Sequence, residues 1–387
     1  DGMQDLLTGN DFAVPDGYYL GQEKGRFKKI KKSDGLIPAV SHFTMSLDTA
    51  DINNDLHLDL FSGEMAFFGN KTDETYCENI DHSPSRTQCK KHFAIRSLAK
   101  KRDIKGCSQF KGMPQKNCIL TMLIEMMLST KEAKNCNKIP PFLGEARHLC
   151  QRLFELREIH EKEATKGHRD YNEEDLVQNM SNILLVADGK GGYQNKTKET
   201  GVTNSFWTWN AKFSDLDNDE WQDIYVANGF LLNDVMTSNV FFHNQKGKKF
   251  LKKQKEFGLE DFIHTHSYTY VDYDLDGDLD IISTGSFAPL RLFQNNLEKN
   301  RSLSFSFVDT KGNRDGVGNK IIIYYGKSKQ IREIKMGGGF LSFDRPWAHF
   351  GLGNHKKVEK IDIFWSTGEK STLKGDFESG HHYIIKR

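Results

Sequence analysis

Three nine-residue stretches place acidic or amide side chains at positions 1, 3, 5 and 9. They are Asp51, Asn53, Asp55 and Asp59; Asp215, Asp217, Asp219 and Asp223; and Asp272, Asp274, Asp276 and Asp280. Each runs straight into an apolar stretch: LDLF, DIYVANG and DIISTG. A tight loop with this spacing turns alternate oxygens towards one centre, and Ca²⁺ is a hard cation that takes six to eight oxygens at about 2.3–2.6 Å. Asp and Asn also crowd ordinary turns, but one register repeated three times ahead of a strand exceeds what turn chemistry requires. An EF-hand does not fit, because it needs flanking helices, a sixth-position Gly and a Glu at position 12. Here β-branched and aromatic residues follow the ninth-position Asp, as in a strand. Only the third loop has Gly at position 6 (Gly277); Leu56 and Glu220 stand there in the others. Those two loops have less backbone freedom and are expected to hold an ion less tightly.

The loops belong to longer repeats. A shared phrase runs from Asn182 to Tyr193, from Asn239 to Phe250 and from Gly17 to Phe27, and Leu290 to Asn295 begins another. The first three close on a glycine and an apolar residue: Gly201-Val202, Gly258-Leu259 and Gly35-Leu36. The second and third loops lie 57 residues apart, the length of a four-stranded propeller blade, and such a period calls for a repeat architecture. Blades stack radially because none can bury both faces alone. A generic antiparallel sandwich with acidic turns is the plainer alternative. Asp1 and Asp5 fit positions 5 and 9 of a fourth loop, which reads as a chain with further blades upstream. Closure by four blades, or blades from a partner in a larger assembly, are the other readings.

The loop form D-x-[DN]-x-D-x-x-x-D resembles the FG-GAP or VCBS repeat of integrin-type β-propellers. Downstream, GVGNKIIIYY (316–325), QIRE (330–333), GGGFLS (337–342), HFGLG (349–353) and IFWSTG (363–368) follow in order. That series is similar to the ASPIC/UnbV domain, which follows FG-GAP repeats in the cartilage acidic protein 1-like family. The resemblance covers residues 1–70, about 180–300 and about 305–387. It implies a mainly β fold: an FG-GAP-type β-propeller at 1–70 and 177–304, with blades incomplete in this chain, and a C-terminal β domain at 305–387. Departures are Leu56 and Glu220 in place of Gly, and Ser366-Thr367 where Pro-Ser is usual.

Residues 71–176 interrupt the repeats and hold all six cysteines: Cys77, Cys89, Cys107, Cys118, Cys136 and Cys150. Helical periodicity runs through 119–128 and 143–156. An even count confined to a small helical insertion reads as a disulfide framework, with fifteen possible connectivities. Such bridges persist in oxidising compartments, so the chain is expected to be extracellular or periplasmic. A metal cluster is the functional rival, but no C-x₂-C or C-x₂-C-H spacing occurs; free thiols are the other reading. Sequons at Asn70, Asn179, Asn195 and Asn300 fit a secreted glycoprotein. No apolar run is long enough for a transmembrane helix, and a formal charge of +1 supplies no field for nucleic acid.

Catalytic motifs are scarce: no G-x-S-x-G, H-E-x-x-H or phosphate loop occurs. Asp344, Arg345 and His349 flank Trp347 and could offer an acid, a base and a clamp; a buried ion pair and a turn-capping His are the favoured, structural explanation. His264 and His266 share a strand face and form a candidate transition-metal half-site, or simply polar strand positions. Trp207 and Trp209 read as packing between blades. Basic runs at 28–32, 100–102 and 246–253 fit polyanion binding or protected strand edges. The expected function is a secreted, calcium-binding extracellular module for binding, adhesion or assembly, with a protein or glycan partner. The alternative is a calcium-stabilised biosynthetic enzyme for cyclisation or rearrangement. Its pocket would lie between propeller and C-terminal domain, near His349, Asp344 and the two tryptophans.

Overall fold

The computed structural model describes residues 3–11, 14–65, 77–78, 83–129, 136–137, 139, 147–148, 150–152, 154–155, 172–229, 237–285, 288–297 and 299–387. The chain is mainly β, in antiparallel sheets. The N-terminal sheet has three strands, β1 (Leu6–Thr8), β2 (Gly17–Gln22) and β3 (Arg26–Lys29). After the short β4 (Val40–Ser41) come β5 (Thr44–Ala50) and β6 (Asp59–Glu64), then helices α1 (Ser83–Lys101) and α2 (Met113–Ser129). Strand β7 (Gln178–Asn179) pairs with β4, and β8 (Ile183–Ala187) and β9 (Tyr193–Asn195) complete the sheet β5-β6-β8-β9. The helical region thus interrupts a single sheet between its second and third strands, which explains why its acidic loop lies so far ahead of the next.

After helix α3 (Thr197–Thr200) the next sheet is uninterrupted: β10 (Thr208–Ser214), β11 (Asp223–Asn228), β12 (Val240–Asn244) and β13 (Phe250–Lys252). A three-stranded sheet follows, β14 (Thr265–Val271), β15 (Asp280–Gly285) and β16 (Arg291–Phe293). In all three loop-bearing sheets the acidic loop joins the first two strands. The first strand also breaks register at the same place, between Thr44 and Ser46, Thr208 and Asn210, and Thr265 and Ser267. Bulges placed alike mark a designed repeat and not an accident of each sheet.

The sheets stack face to face in chain order. Tyr18 and Leu7 pack with Leu60, Ile183 and Leu185. Ile52, Phe61 and Leu184 pack with Phe213, Ile224, Val226 and Phe242. Leu216, Tyr225 and Phe241 pack with Tyr268, Tyr270 and Ile281. Strands β6 and β11 are buried along their whole length, which requires apolar residues on both faces and accounts for runs such as DIYVAN, without strict alternation.

The C-terminal part comprises β17 (Arg301–Val308), β18 (Lys320–Tyr325), β19 (Ser328–Glu333), β20 (Ala348–Gly353), β21 (Lys357–Phe364), β22 (Lys370–Glu378) and β23 (His382–Lys386). They form two sheets, β20-β17-β23 and β19-β18-β21-β22, around a core that includes Phe305, Ile321, Ile323, Phe350 and Trp365. Its first strand starts at Arg301, a few residues ahead of the expected boundary. Between β19 and β20 the chain leaves these sheets and crosses the first strands of the three loop-bearing sheets. Lys335 pairs with Asp48 on β5, and Asn210 on β10 donates to Ser342 at 2.7 Å. On β14, Ser267 and Thr269 donate to the carbonyls of Leu341 and Phe343 at 3.0 and 2.9 Å. The glycines of GGGF permit this close passage: Gly339 has φ +87, and any β-carbon there would collide with the Asn210 carboxamide.

All six cysteines are bridged, Cys77–Cys89, Cys107–Cys118 and Cys136–Cys150. Each bond joins sequence neighbours, the simplest of the fifteen connectivities. Helix α2 contains the expected 119–128 segment; the other expected helix, 143–156, lies mostly outside the described residues. Helix α1 is additional, since its many Lys, Arg and Ser residues mask its period. No helix among the described residues is long and apolar enough to cross a membrane.

Candidate metal centre

The three loops share one backbone. Positions 4 and 6 are left-handed in each: Asn54 and Leu56 (φ +58 and +74), Asn218 and Glu220 (+56 and +83), Leu275 and Gly277 (+62 and +94). Leu56 and Glu220 therefore adopt the glycine-favouring conformation regardless of residue type, at a cost of about 1–2 kcal/mol each. Hydrogen bonds hold the turn. The first-position carboxylates of Asp51 and Asp215 accept from the amides of positions 5 and 6 at 2.8–3.1 Å. The fifth-position carboxylates of Asp55, Asp219 and Asp276 accept from the amide of position 7 at 2.8–3.0 Å.

Position 9 is a double latch. One oxygen of Asp59, Asp223 and Asp280 accepts from the position-2 amide; the other accepts from an amide at the end of the third strand, of Ala187, Asn244 and Asn295. Asp5 accepts from the Gly21 amide at 2.8 Å, as the ninth-position carboxylates accept from their third-strand amides. Asp1 lies outside the described residues.

Carboxylates converge in two loops. Ligand atoms of Asp215, Asp217 and Asp223 lie within 4.8 Å of one another, as do those of Asp272, Asp274 and Asp276. Burial, followed by the neighbouring carboxylates, pushes Asp215 and Asp223 well above the usual carboxylate range. Burial also raises Asp59 to about 7, Asp219 to about 6 and Asp278 to about 7, and raises Asp51, Asp272 and Asp280. Buried carboxyls that crowd one another favour either protons or a cation. Asp217 Oδ1 and Asp272 Oδ1 are buried with no hydrogen-bond partner, so lone pairs remain for a ligand. An all-oxygen donor set of this kind fits a hard divalent ion such as Ca²⁺. In the first loop the Asn53 carboxamide donates to Asp55 at 3.0 Å.

Two features were not read from the sequence. His243 on β12 contacts Asp217 at 3.0 Å, and Gln294, the residue that follows β16, donates to Asp274 at 2.6 Å. Both steady the third-position carboxylate from the equivalent position, where the first loop-bearing sheet has Val186. The loops are also chained. Asn54 donates to the Glu220 carbonyl at 3.1 Å, and Asn218 donates to Asp278 at 2.6 Å. Asn at position 4, twice, was the available signal.

The candidate acid, base and clamp do not converge on a cavity. Asp344 accepts from Lys212 Nζ at 2.7 Å to both oxygens, from Thr269 at 3.0 Å and from the Tyr270 amide at 3.1 Å. Lys212 is itself buried, so this is the buried ion pair weighed above, fastening the crossing segment to β10 and β14. Arg345 is exposed beside the Trp347 ring. Burial lowers His349 to about 4, so its neutral ring donates through Nε2 to the Gly277 carbonyl at 3.1 Å. Trp209 donates to Gly229 and packs on Phe340 of the crossing segment. A cleft lined by Met3, Gln4, Arg26, Phe27 and Asn313 lies elsewhere and includes none of them. His264 packs edge-on against His92 of helix α1, ring centroids 5.3 Å apart. Neither His264 nor His266 joins a metal-holding group among the described residues.

Repeated acidic loops between the first two strands of stacked sheets, followed by a separate two-sheet unit, define the class of protein. Residues 215–283 match the family model for an FG-GAP-like repeat, and residues 309–387 match that for ASPIC and UnbV. The chain therefore combines FG-GAP-like repeats with a C-terminal ASPIC/UnbV domain. None of the curated proteins compared matches it.

Proposed function

We propose that this chain is a calcium-binding β-propeller segment with a docked ASPIC/UnbV domain, working outside the cell as a binding or assembly module. The observation that carries the reading is the common loop backbone, whose carboxylates converge in the second and third loops and are mostly buried in the second. Asp51, Asn53, Asp55 and Asp59 would hold one ion; Asp215, Asp217, Asp219 and Asp223 a second; Asp272, Asp274, Asp276 and Asp280 a third. Bound Ca²⁺ supplies charge neutralisation that fixes the turns between first and second strands. The bridged insertion and the absence of a spanning helix among the described residues fit secretion. Sheets stacked in chain order support the propeller, and the wider likeness to the cartilage acidic protein 1-like arrangement belongs to this reading. The partner is a protein or glycan.

Isothermal titration of chelator-stripped protein with Ca²⁺ tests it. One ion per complete loop is expected, with a melting temperature that falls by many degrees in excess EGTA. An unchanged melt after verified metal removal would end the calcium reading.

A further inference from the structure

The three loops share a backbone but not the side chain that faces their third position. The residue just ahead of the latch amide is Val186 in the first loop-bearing sheet, His243 in the second and Gln294 in the third. Nε2 of His243 lies 3.0 Å from Asp217 and 4.0 Å from Asp219. The ligand atoms of these three residues all lie within 4.8 Å of one another, and Asp217 also belongs to the group with Asp215 and Asp223. In the first loop His57 is exposed and contacts Asp55 alone, at 3.2 Å. The His243 ring, by contrast, is buried and held. It packs on Phe241 and Phe257, ring centroids 5.9 and 5.3 Å away, and its Nδ1 meets the Gln245 carboxamide at 2.5 Å. A tetrahedral ion with ligand bonds of about 2.0–2.1 Å spaces its ligand atoms about 3.3 Å apart, between the two distances that Nε2 makes to the carboxylates.

We propose that the second loop takes a borderline divalent ion of the Zn²⁺ class at His243 Nε2, Asp217 and Asp219, in competition with Ca²⁺. Imidazole suits Zn²⁺ and its neighbours in the first transition row, whereas Ca²⁺ takes oxygen alone. An ion at His243 draws on two of the four side chains that the same loop offers to Ca²⁺, so the two ions exclude each other there. With the ion bound, the ring keeps its proton on Nδ1, and the Gln245 carboxamide, turned end for end, accepts it. Such an outer partner fixes the tautomer and aims the Nε2 lone pair at the metal. The third loop, with Gln294 in place of the imidazole, remains a site for a hard ion. The competition rests on the calcium reading; the imidazole site does not.

Isothermal titration of chelator-stripped protein with Zn²⁺ is the test, with His243→Gln and Gln245→Leu beside the wild type. Gln245→Leu should weaken the tightest zinc site about tenfold, and His243→Gln, which copies the third loop, should weaken it further. X-ray absorption of the complex with one equivalent of Zn²⁺ should show a single imidazole among oxygen neighbours. Saturating Zn²⁺ should lower the number of bound calcium ions by one. Zinc affinity indifferent to His243→Gln marks an adventitious ion at other histidines and overturns the proposal, as does Zn²⁺ bound beside a full complement of calcium. Should His243→Gln fail to fold, Gln245→Leu and the absorption spectrum decide alone. Calcium titration of zinc-free protein separates the two readings. Zinc bound through His243 with no calcium anywhere sinks the calcium reading and leaves the imidazole site; calcium bound at the loops with zinc blind to His243 sinks the imidazole site alone.

Discussion

At the scale of single residues, the acidic loops store unfavourable terms that an ion can relieve. Leu56 holds φ +74, a conformation costing a side-chain-bearing residue about 1–2 kcal/mol. Leu56→Gly should therefore stabilise the metal-free protein by about 1 kcal/mol, less Gly's own entropy cost in the unfolded chain, read from chemical denaturation. Glu220 is a poorer choice for that test, since its carboxylate accepts from Tyr325 at 3.0 Å. The raised carboxyls give a pH dependence of definite sign. Asp59, Asp219 and Asp278 titrate near 6–7 in the fold and near 4 when unfolded. Between those values the folded state holds the extra protons, so stability from these groups rises as pH falls from about 7 to about 4. Metal-free protein should melt higher at pH 5.5 than at pH 7.5, and Ca²⁺ affinity should move the other way because protons compete for the same oxygens. Parallel shifts of both quantities would contradict the assignment.

At the scale of elements, the crossing segment and the insertion are the parts whose energetics can be isolated. Asp344→Ala leaves Lys212 buried without its carboxylate, a loss of about 3–5 kcal/mol, and thermal unfolding should show it, with Asp344→Asn milder because the amide oxygen still accepts. The paired substitution Cys107→Ser, Cys118→Ser opens a loop of sequence separation 11, at a cost of about 3 kcal/mol. That loss should be confined to helices α1 and α2 in hydrogen exchange, leaving Ca²⁺ binding intact. Legibility differed between elements for physical reasons. The acidic loops were readable because the spacing of their acidic side chains is local, and β6, β11 and β15 followed as apolar runs. Helix α1 was not, because its polar residues obscure the 3.6-residue period. Disulfide pairing was not either, since spacing alone does not choose among connectivities. Asp344 and His349 looked like catalytic candidates because sequence cannot show that Lys212, some 130 positions away, consumes the carboxylate. His243 and Gln294 escaped notice because the positions that face Asp217 and Asp274 emerge only once β12 and β16 are paired.

For the whole molecule, the placement of the C-terminal domain ties its docking to the state of the second and third loops. Gly353 N–H donates to the Asn218 carbonyl at 2.8 Å, and Asn300 donates to the Asp217 carbonyl at 2.7 Å. His349 and Ser302 both reach the Gly277 carbonyl, at 3.1 and 2.5 Å. Buried Arg332 lends positive charge to Asp51 and Asp215. Gly351 lies so close to the second loop that any β-carbon would strike the Asp215 carboxylate and the Asn218 backbone, which gives the HFGLG phrase a physical reason. These contacts read the backbone of the loops proposed to hold Ca²⁺, so the calcium proposal entails that ion binding and docking are linked. Linkage is reciprocal: what weakens docking weakens the ion, and removal of the ion loosens docking. Gly351→Ala, remote in sequence from every proposed ligand, should lower Ca²⁺ affinity at the second loop by about tenfold, the equivalent of about 1.4 kcal/mol. Chelation of the wild type should speed amide exchange in β20 while sparing β18 and β21, whose pairing lies within the C-terminal sheets. Unaltered affinity in the variant, with exchange in β20 indifferent to chelation, would mean that the domain is merely adjacent to the loops.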